Sequence, residues 1–426
     1  MRGDLVKSTD AAGNVTCYTY NEAHQLLSAT TIRGPYVYPN GSQIKQFVYN
    51  SATLNGSAMQ NTAGRLARAY TYPTAGQGNT TDEYYNYSAR GELTDVYQST
   101  NHSGGFYHAT AGYWANGRLN ALGLLNASGS KLIPNLTYTP DGAGRLNKVN
   151  ADSGQNPINL VSYDAASRPT NVKFGSGDSD AFSYDPSTGR MTQYLYAVGS
   201  TCQPIVGTLN WNANGSMMSR GNYDPITPAN TDYCSYSHDD LGRIQNYSCT
   251  AGWAQSFSYD TFGNISKSGS ITYTPGYDTA KNQAYGAAYD GNGNVKSIAG
   301  RTFAWDASGN SITIDGVSAI FDASDRMAEQ NRSGSYTQVL YSPTGQRLAL
   351  ASNQALTKAF VPLPGGATAV YDSTGLSFYR HRDWLGSSRL TSSTTRSVLS
   401  APAYAPFGEL QNSASDVSFT NQNQDT

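Results

Sequence analysis

The chain has 426 residues, too many for one ordinary globular core and enough for several domains or one repeat array. It carries 28 basic and 30 acidic residues, and only 14% of its residues are charged. This balance argues against a nucleic-acid surface, which needs concentrated Lys and Arg to neutralise phosphates, and no apolar run is long enough to span a membrane.

The chain is unusually rich in two residue types, with 32 Tyr and 43 Gly. Tyr and Thr favour pleated strands, whereas Gly and Asn favour tight turns with positive φ. Long stretches of Ala, Leu, Glu and Lys at helical spacing are absent from the sequence. The composition therefore predicts an all-β chain of many short antiparallel strands joined by turns.

A short unit recurs along the chain: an aromatic residue, Asp or Asn, two or three variable residues, Gly, Arg or Asn, and an apolar residue. The clear copies contain, in chain order, Tyr138, Asp141, Gly144 and Arg145; Tyr184, Asp185, Gly189 and Arg190; Asp239, Gly242 and Arg243; Tyr259, Asp260 and Gly263; Tyr289, Asp290 and Gly293; and Trp305, Asp306 and Gly309. Weaker copies begin at Tyr20, Tyr87, Tyr113, Tyr163, Trp211, Phe321 and Tyr341. From Tyr87 to Tyr341 the unit returns roughly every 16 to 30 residues, which is typical of a repeat protein.

Each unit is predicted to form a β-hairpin. Before the turn, apolar and small residues alternate, as in Phe257 and Tyr259 against Ser256 and Ser258, which places the aromatic rings on one face of the sheet. The Asp is expected to cap amides of its own turn, and the Gly to supply the left-handed residue of the loop. A single hairpin is marginal in water, so we expect hairpins to stack their aromatic faces, with the turn Arg over a neighbouring ring.

The four cysteines are Cys17, Cys202, Cys234 and Cys249. They show neither a CxxC spacing nor a nearby histidine pair, so no zinc site is predicted. A disulfide among the last three and buried free thiols are both open, because the sequence does not decide between them.

Other short motifs favour ordinary structural roles. His381-Arg382-Asp383 matches the start of a kinase catalytic loop, but the loop's Asn and the Gly-rich phosphate loop are missing. The loop that begins at Asp290 resembles a calcium loop but has Val295 in place of the required Gly. Arg2-Gly3-Asp4 is the tripeptide that integrins bind, and three residues carry little information. We predict no catalytic residue, no metal site and no cofactor.

Two segments near the C-terminus identify a family resemblance. The first, from His381 to Leu390, contains His381, Asp383, Leu385, Gly386, Ser387 and Arg389. The second contains Tyr404, Pro406, Phe407, Gly408 and Glu409. With the repeats before them, they resemble the H-x-D-H-L-G-S-x-R and Y-D-P-F-G-E segments of YD-repeat proteins: Rhs proteins, the C component of insecticidal Tc toxins and the teneurin YD shell. Trp384 and Ala405 depart from the usual His and Asp.

The resemblance implies that the strands spiral into a curved shell or hollow barrel, here a partial one, that encapsulates a C-terminal toxin polypeptide. It divides the chain into a YD-repeat array (1–375) and a C-terminal segment (376–426) that leads towards an autoproteolytic motif and a toxin. Neither that motif nor a toxin is found in this sequence, so we expect a fragment or truncated relative. We therefore predict a non-catalytic scaffold, secreted or at the cell surface by resemblance, although no signal peptide follows Met1.

Two alternatives remain. The first is a secreted or cell-surface binding module of teneurin type that contacts glycans or proteins of a neighbouring cell, because exposed tyrosine and amide side chains suit sugar stacking and hydrogen bonding. The second is a hydrolase on a β scaffold, for which the sequence offers no convincing residue. The identity of the cargo is not readable from the sequence.

Overall fold

The computed structural model describes residues 3–33, 44–72, 78–199 and 204–411. Arg2 of the integrin-type tripeptide, Cys202 and the end of the predicted C-terminal segment (412–426) lie outside the described residues. The described residues form 36 β-strands and two short 3₁₀ helices, Pro228–Asn230 and Pro364–Gly366. The all-β prediction is therefore confirmed. Neither helix in this part of the chain is long or apolar enough to cross a membrane.

The chain forms two compact units, each of which joins an early and a late segment. Unit 1 combines residues 1–137 with residues 286–359. Its early strands are β1 (Lys7–Thr9), β2 (Val15–Tyr20), β3 (Leu26–Arg33), β4 (Ile44–Tyr49), β5 (Thr53–Leu54), β6 (Ser57–Ala58), β7 (Leu66–Tyr72), β8 (Thr81–Tyr87), β9 (Leu93–Thr100), β10 (Tyr107–Tyr113), β11 (Leu119–Leu125) and β12 (Lys131–Pro140).

Unit 2 combines residues 138–285 with the described residues from 360 onwards. Its early strands are β13 (Leu146–Ala151), β14 (Ile158–Tyr163), β15 (Pro169–Phe174), β16 (Ser179–Tyr184), β17 (Met191–Ala197), β18 (Ile205–Trp211), β19 (Met217–Tyr223), β20 (Asp232–His238), β21 (Ile244–Cys249), β22 (Ala254–Tyr259) and β23 (Ile265–Gly269).

The late segments contribute the remaining strands. Those of unit 1 are β24 (Ala288–Tyr289), β25 (Val295–Ile298), β26 (Arg301–Trp305), β27 (Ser311–Ile314), β28 (Val317–Phe321), β29 (Met327–Arg332), β30 (Ser335–Tyr341), β31 (Arg347–Ser352) and β32 (Ala355–Pro362), which runs on into unit 2. Those of unit 2 are β33 (Thr368–Asp372), β34 (Gly375–Arg382), β35 (Ser388–Ser393) and β36 (Val398–Ser400).

Strand pairing follows the order of the chain. β20 pairs with β21 and β21 with β22, both antiparallel, and the same succession recurs along each segment. At most repeat turns the register shifts by one residue just before the turn, for example between Ser237 and His238. Such a shift is the bulge that accompanies a three-residue hairpin loop. The segments are thus meanders of hairpins, as the repeat predicts.

The core of each unit is built from one face of these strands. In β22, Gln255 and Phe257 are buried while Ser256 and Ser258, which alternate with them, are exposed, as the predicted period of two requires. Phe257 packs in one cluster with Tyr247 and both cysteines of β20 and β21. In unit 1 an equivalent cluster brings Val96 of the early segment together with Ala323 of the late segment. The hairpins therefore bury apolar surface against remote hairpins as well as against their neighbours in sequence.

Candidate functional site

The candidate site is made of one structural element, the repeat turn, which recurs along the chain. In the turn after β20, Oδ1 of Asp239 accepts hydrogen bonds from the backbone N–H groups of Leu241 at 3.0 Å and Arg243 at 2.9 Å. The backbone N–H of Asp239 donates to the carbonyl of Arg243, and that of Gly242 donates to the carbonyl of Asp239. Gly242 has a φ of +77°, which glycine adopts at little steric cost. The carboxylate thus satisfies amides that the tight turn leaves free.

The same turn recurs in both units. An Asp carboxylate caps the amide of the residue four positions on in the turns that begin at Asp141, Asp164, Asp260, Asp290, Asp306 and Asp322. The Asp185 turn is one residue longer, and its Oδ1 accepts from the hydroxyls and amides of Ser187 and Thr188 instead. These bonds lower the pKa of Asp185 to about 2, the hydroxyl of Ser187 contributing most. The Asp290 loop uses its carboxylate for its own amides, as in an ordinary turn.

A second set of contacts joins four of the Arg-containing turns to the next repeat. Oδ2 of Asp239 accepts a hydrogen bond from Nε of Arg243 at 2.7 Å. This bond holds the guanidinium over the ring of Tyr259, with Cζ 4.2 Å from the ring centroid. The Tyr259 hydroxyl donates to the carbonyl of Ile244, the residue after the Arg, at 2.8 Å. We call these three contacts, from Asp to Arg, from Arg to Tyr and from Tyr to the following carbonyl, the Arg–Tyr staple.

The Arg–Tyr staple occurs three more times among the described residues. The sets are Asp141, Arg145 and Tyr163; Asp164, Arg168 and Tyr184; and Asp322, Arg326 and Tyr341. Their Cζ-to-centroid distances are 4.7, 4.5 and 4.4 Å. A charged guanidinium close to an aromatic face is attractive because of the ring quadrupole. The structure thus shows the expected contact of the turn Arg with a neighbouring ring.

Repeats without Arg use a modified arrangement. In the turns at Asp260, Asp290 and Asp306, an Asn four residues on donates from Nδ2 to the Asp Oδ2. Where the aromatic residue is Trp, the indole takes the place of the phenol. Nε1 of Trp211 donates to the carbonyl of Met191, and Nε1 of Trp305 donates to that of Val295, both at 2.7 Å. The bond from the aromatic residue to the preceding turn is thus kept although the residue types differ.

Both family segments in the C-terminal part reuse the repeat turn. Oδ1 of Asp383 accepts from the backbone N–H groups of Leu385 and Ser387, both at 3.0 Å, and Gly386 has a φ of +85°. The second segment forms the same backbone turn, because the N–H of Ala405 donates to the carbonyl of Glu409 and that of Gly408 to Ala405. Ala405, which stands where the family usually has Asp, is buried and supplies no carboxylate cap.

Other residues of these two segments contact the early strands of unit 2, to which the segments themselves belong. The ring of Phe407 lies edge-on to that of Phe257 at 5.0 Å between centroids, and Glu409 forms an ion pair with Lys267. Arg389 is buried. The backbone of Tyr404 pairs with that of Leu410, and Pro406 lies between them in the turn.

His381 lies in a buried hydrogen-bond chain that sequence reasoning missed. Its Nδ1 is 2.7 Å from Oδ1 of Asp180, and its Nε2 is 2.9 Å from Oγ of Ser392. Ser, His and Asp in this order are the residues of a hydrolase triad. Here all three side chains are fully buried, and the rings of Phe174 and Tyr196 pack beside the imidazole. A substrate therefore cannot reach the Ser392 hydroxyl in this conformation, and the chain of bonds serves to solvate the buried Asp180.

Unit 1 contains a buried ionic cluster that also has no signal in the sequence. Nη2 of Arg326 donates to Glu83 at 2.9 Å while its Nε holds Asp322, so one guanidinium joins the early and late segments. The Tyr85 hydroxyl donates to Glu83 at 2.7 Å. Burial, and secondarily the Asp322 carboxylate, raise the pKa of Glu83 to about 7 against the opposing effect of Arg326.

The sequence and the fold of the chain are similar to those of known repeat proteins. Residues 1–36 match the family model of the RHS repeat. No curated protein sequence matches the chain. Solved structures share its fold over 96% of its length. Residues 1–36 thus match the RHS repeat, and the chain has the antiparallel β fold of the TcdB2-TccC3 shell, as the sequence predicts.

Three of the solved structures that share the fold contain TccC3, and two of these are TcdB2-TccC3 complexes. TcdB2-TccC3 without its hypervariable C-terminal region aligns with a TM-score of 0.75 at 16% identity, covering 96% of this chain and 24% of that one. The Photorhabdus luminescens Tc holotoxin pore with a TccC3 mutation aligns with a TM-score of 0.74 at 17% identity, covering 96% and 23%. TcdB2-TccC3-Cdc42 aligns with a TM-score of 0.74 at 17% identity, covering 96% of this chain and 24% of that one. The chain thus spans about a quarter of the length of the structures it matches.

Proposed function

We propose that the chain is a non-catalytic structural scaffold and forms part of a shell that encapsulates a toxin or other cargo polypeptide. The observation that carries the proposal is the fold shared with TcdB2-TccC3 over nearly the whole chain. Two of the solved complexes are TcdB2-TccC3 without a hypervariable C-terminal region and TcdB2-TccC3-Cdc42. A variable polypeptide therefore accompanies this fold in those proteins, and we extend that role to this chain.

The chemistry of the described residues suits a scaffold. At four repeats the Arg–Tyr staple fixes one hairpin to the next through a charged contact and a hydrogen bond, and these contacts help the array to resist local unfolding. A low fraction of charged residues, 14%, suits a wall that does not bind a polypeptide tightly. We assign no catalytic role, because the hydroxyl of Ser392 in the one Ser–His–Asp arrangement we identify is buried.

We further propose that the protein works outside the reducing cytosol, as a secreted or cell-surface protein. The disulfide between Cys234 and Cys249 supports this, because disulfides persist in oxidising compartments. We keep the division into an array (1–375) and a C-terminal segment (376–426) as part of the proposal. In that division the two family segments, whose turns resemble the repeat turn, lead from the array towards the cargo.

A protease-protection experiment tests encapsulation. A small, readily cleaved cargo polypeptide is fused after Thr426, and its cleavage rate is compared with that of the same cargo on an unrelated β-protein. Encapsulation predicts much slower cleavage of the cargo on this chain, and no protection after the array has been unfolded in denaturant. Equal cleavage rates on the two carriers would contradict the proposal.

Binding of glycans or cell-surface proteins stays a prediction, as the runner-up to encapsulation. A glycan array probed with the purified chain tests the sugar part of that prediction. Saturable binding to one class of sugar would favour it, whereas absence of binding to every sugar would remove its main support.

A further inference from the structure

Three potential metal ligands meet at the centre of unit 2. Cys234 in β20 lies directly opposite Cys249 in β21, and the two form a disulfide. Asp232 lies two residues before Cys234, and therefore on the same face of β20. The carboxylate and sulfur atoms of the three residues all lie within 4.8 Å of one another, and all three residues are buried.

The carboxylate of Asp232 is only half satisfied in the disulfide form. Its Oδ1 accepts hydrogen bonds from the Thr250 hydroxyl at 3.0 Å and the Ala251 amide at 2.9 Å. Its Oδ2 lies 3.2 Å from Sγ of Cys234. A disulfide sulfur carries no proton, so it donates nothing to this oxygen. A buried carboxylate oxygen directed at a sulfur pair without a donor is unusual, because buried polar atoms normally have partners.

We propose that, once the disulfide is reduced, Asp232, Cys234 and Cys249 bind one thiophilic divalent cation of the Zn²⁺ class. A dithiol supplies two electrons and two protons to the disulfide, giving two thiols, and is itself oxidised to a disulfide. Binding of the cation then displaces the two thiol protons to solvent. Two thiolates and one carboxylate are three ligands of a tetrahedral site, and a water completes it. In such a site, ligand atoms lie roughly 3–4 Å apart, close to the present Sγ-to-Oδ2 distance.

Neighbouring groups are placed to stabilise thiolates. The Tyr247 hydroxyl donates to Sγ of Cys234 at 3.2 Å, and Nε2 of Gln411 donates to Sγ of Cys249 at 3.6 Å. Arg220 lies opposite Cys234 on β19 and donates from Nη2 to the Tyr247 hydroxyl at 2.7 Å. Hydrogen bonds to sulfur and a nearby guanidinium both favour the ionised form of cysteine.

Charge balance also favours a divalent ion. In the disulfide form, the buried charges of Asp232 and Arg220 cancel. Two thiolates add two negative charges, which a divalent cation neutralises, so the net charge of the group returns to zero. Thiolates without a cation would leave two uncompensated charges in a buried site, which is costly.

The ligands lie on the buried face of the sheet, where the two cysteines pack with Phe257. A groove of about 440 Å³ runs along the opposite face, which carries the exposed side chains of Tyr233 and Ser235. A reductant and a hydrated cation therefore reach the sulfurs only when the strands open locally. The disulfide and the metal site exclude one another, so the redox state of the compartment selects which of the two holds β20 and β21 together.

Cadmium titration of the full chain tests the proposal. Cys17→Ser and Cys202→Ser remove the other thiols, and the protein is reduced with a dithiol and then desalted without oxygen. We expect one Cd²⁺ per chain with a thiolate-to-metal charge-transfer band in the ultraviolet, and no such band before reduction. Asp232→Asn should weaken binding more than about tenfold, because even the loss of an outer-shell partner weakens metal sites by 10–100-fold. Asp240→Asn, at an exposed position in the turn after β20, is the matched control and should leave affinity unchanged.

A second measurement uses the unmodified sequence and does not depend on a variant that folds. The reduced chain is alkylated with and without stoichiometric Zn²⁺, and the modified peptides are mapped. Zn²⁺ should slow modification of Cys234 and Cys249 at least about tenfold relative to Cys17. Absence of the charge-transfer band, equal affinity in Asp232→Asn, or equal protection of Cys17 would each overturn the proposal.

Discussion

The guanidinium of Arg243 lies 4.2 Å from the centroid of the Tyr259 ring, which belongs to the next repeat. Asp239 fixes the guanidinium from one side, and the Tyr259 hydroxyl returns to the carbonyl of Ile244. The Asp and Arg of one repeat and the aromatic residue of the next therefore connect two successive repeats. This relationship explains why the three residue types recur together: each supplies one bond of the connection between hairpins.

Removing the phenol hydroxyl tests one contact of the staple. Tyr259→Phe keeps the ring under Arg243 but loses the bond to the Ile244 carbonyl. We expect the free energy of unfolding to fall by about 1 kcal/mol, the usual net value of one hydrogen bond. Denaturant unfolding of the full chain measures it, and Lys281→Ala on the exposed surface of unit 2 is the control. A change in Tyr259→Phe no larger than in Lys281→Ala would contradict the assigned bond.

Substitutions at the left-handed position of the turn are expected to change stability in opposite directions in two repeats. Ser167 has a φ of +62° where most repeats have Gly, whereas Gly242 has a φ of +77°. A side chain in this region costs roughly 1–2 kcal/mol, part of which glycine offsets through its greater freedom when unfolded. Ser167→Gly is therefore expected to stabilise the chain by about 0.5 kcal/mol, and Gly242→Ala to destabilise it by about 1 kcal/mol.

Thermal or denaturant unfolding of the two variants checks both signs. A Cβ at Gly242 would meet no heavy atom within 4 Å, so a loss of stability there reports the backbone conformation and no clash. If Ser167→Gly is destabilising and Gly242→Ala is neutral, the left-handed turn is not the conformation in solution.

The capped turns predict a loss of stability in acid. Hydrogen bonds from Ser187 and Thr188 lower the pKa of Asp185 to about 2, from an ordinary value of 3.8. A depressed carboxyl pKa contributes stability that is complete above about pH 4 and is lost as pH falls towards 2. Asp185→Ala should therefore show a shallower fall in unfolding free energy between pH 4 and 2 than the parent chain. Parallel curves for the two proteins would show that the Asp185 carboxylate is not capped.

The buried Glu83 carboxyl is expected to give the opposite pH dependence, a fall in the free energy of unfolding as pH rises through neutrality. Burial raises the pKa of Glu83 from 4.5 to about 7, so the folded chain binds a proton that the unfolded chain has released. This contribution is complete below about pH 4.5 and is lost as pH rises through 7. We expect Glu83→Gln to remove a decline of roughly 2–3 kcal/mol between pH 5 and 8.

Unfolding free energies across that pH range measure the Glu83 effect. The partly exposed carboxylate of Glu92 lies at the following turn, and a hydrogen bond from Ser88 lowers its pKa, so Glu92→Gln provides the control substitution. If the decline persists unchanged in Glu83→Gln, the Glu83 carboxyl does not titrate in this range and the cluster with Arg326 is assigned wrongly.

Much of the fold follows from local sequence. The alternation around Phe257 and the Asp-to-Gly spacing in each turn are decided within about ten residues, so they predict strands and hairpins directly. The contact of Arg243 with the next repeat follows from the same spacing, since one hairpin brings the two residues to adjacent strands.

The remote contacts could not be predicted in this way. Glu83 and Arg326 are 243 positions apart, and Asp180 and His381 are 201 apart. No local pattern specifies that an early and a late segment share one unit, because many hairpins offer equivalent polar faces. The disulfide presented the same difficulty: the pairing of Cys234 with Cys249 depends on the register of β20 and β21.

The most direct test of the account is a double-mutant cycle on Arg243 and Tyr259. Arg243→Ala, Tyr259→Leu and the double variant are unfolded in denaturant, with Arg243 and Tyr184 as a non-contacting control pair. We expect a coupling of about 0.5–1 kcal/mol for Arg243 with Tyr259 and none for the control pair. Additive effects at Arg243 and Tyr259, in variants that remain folded, would contradict the claim that the repeats are joined through this contact.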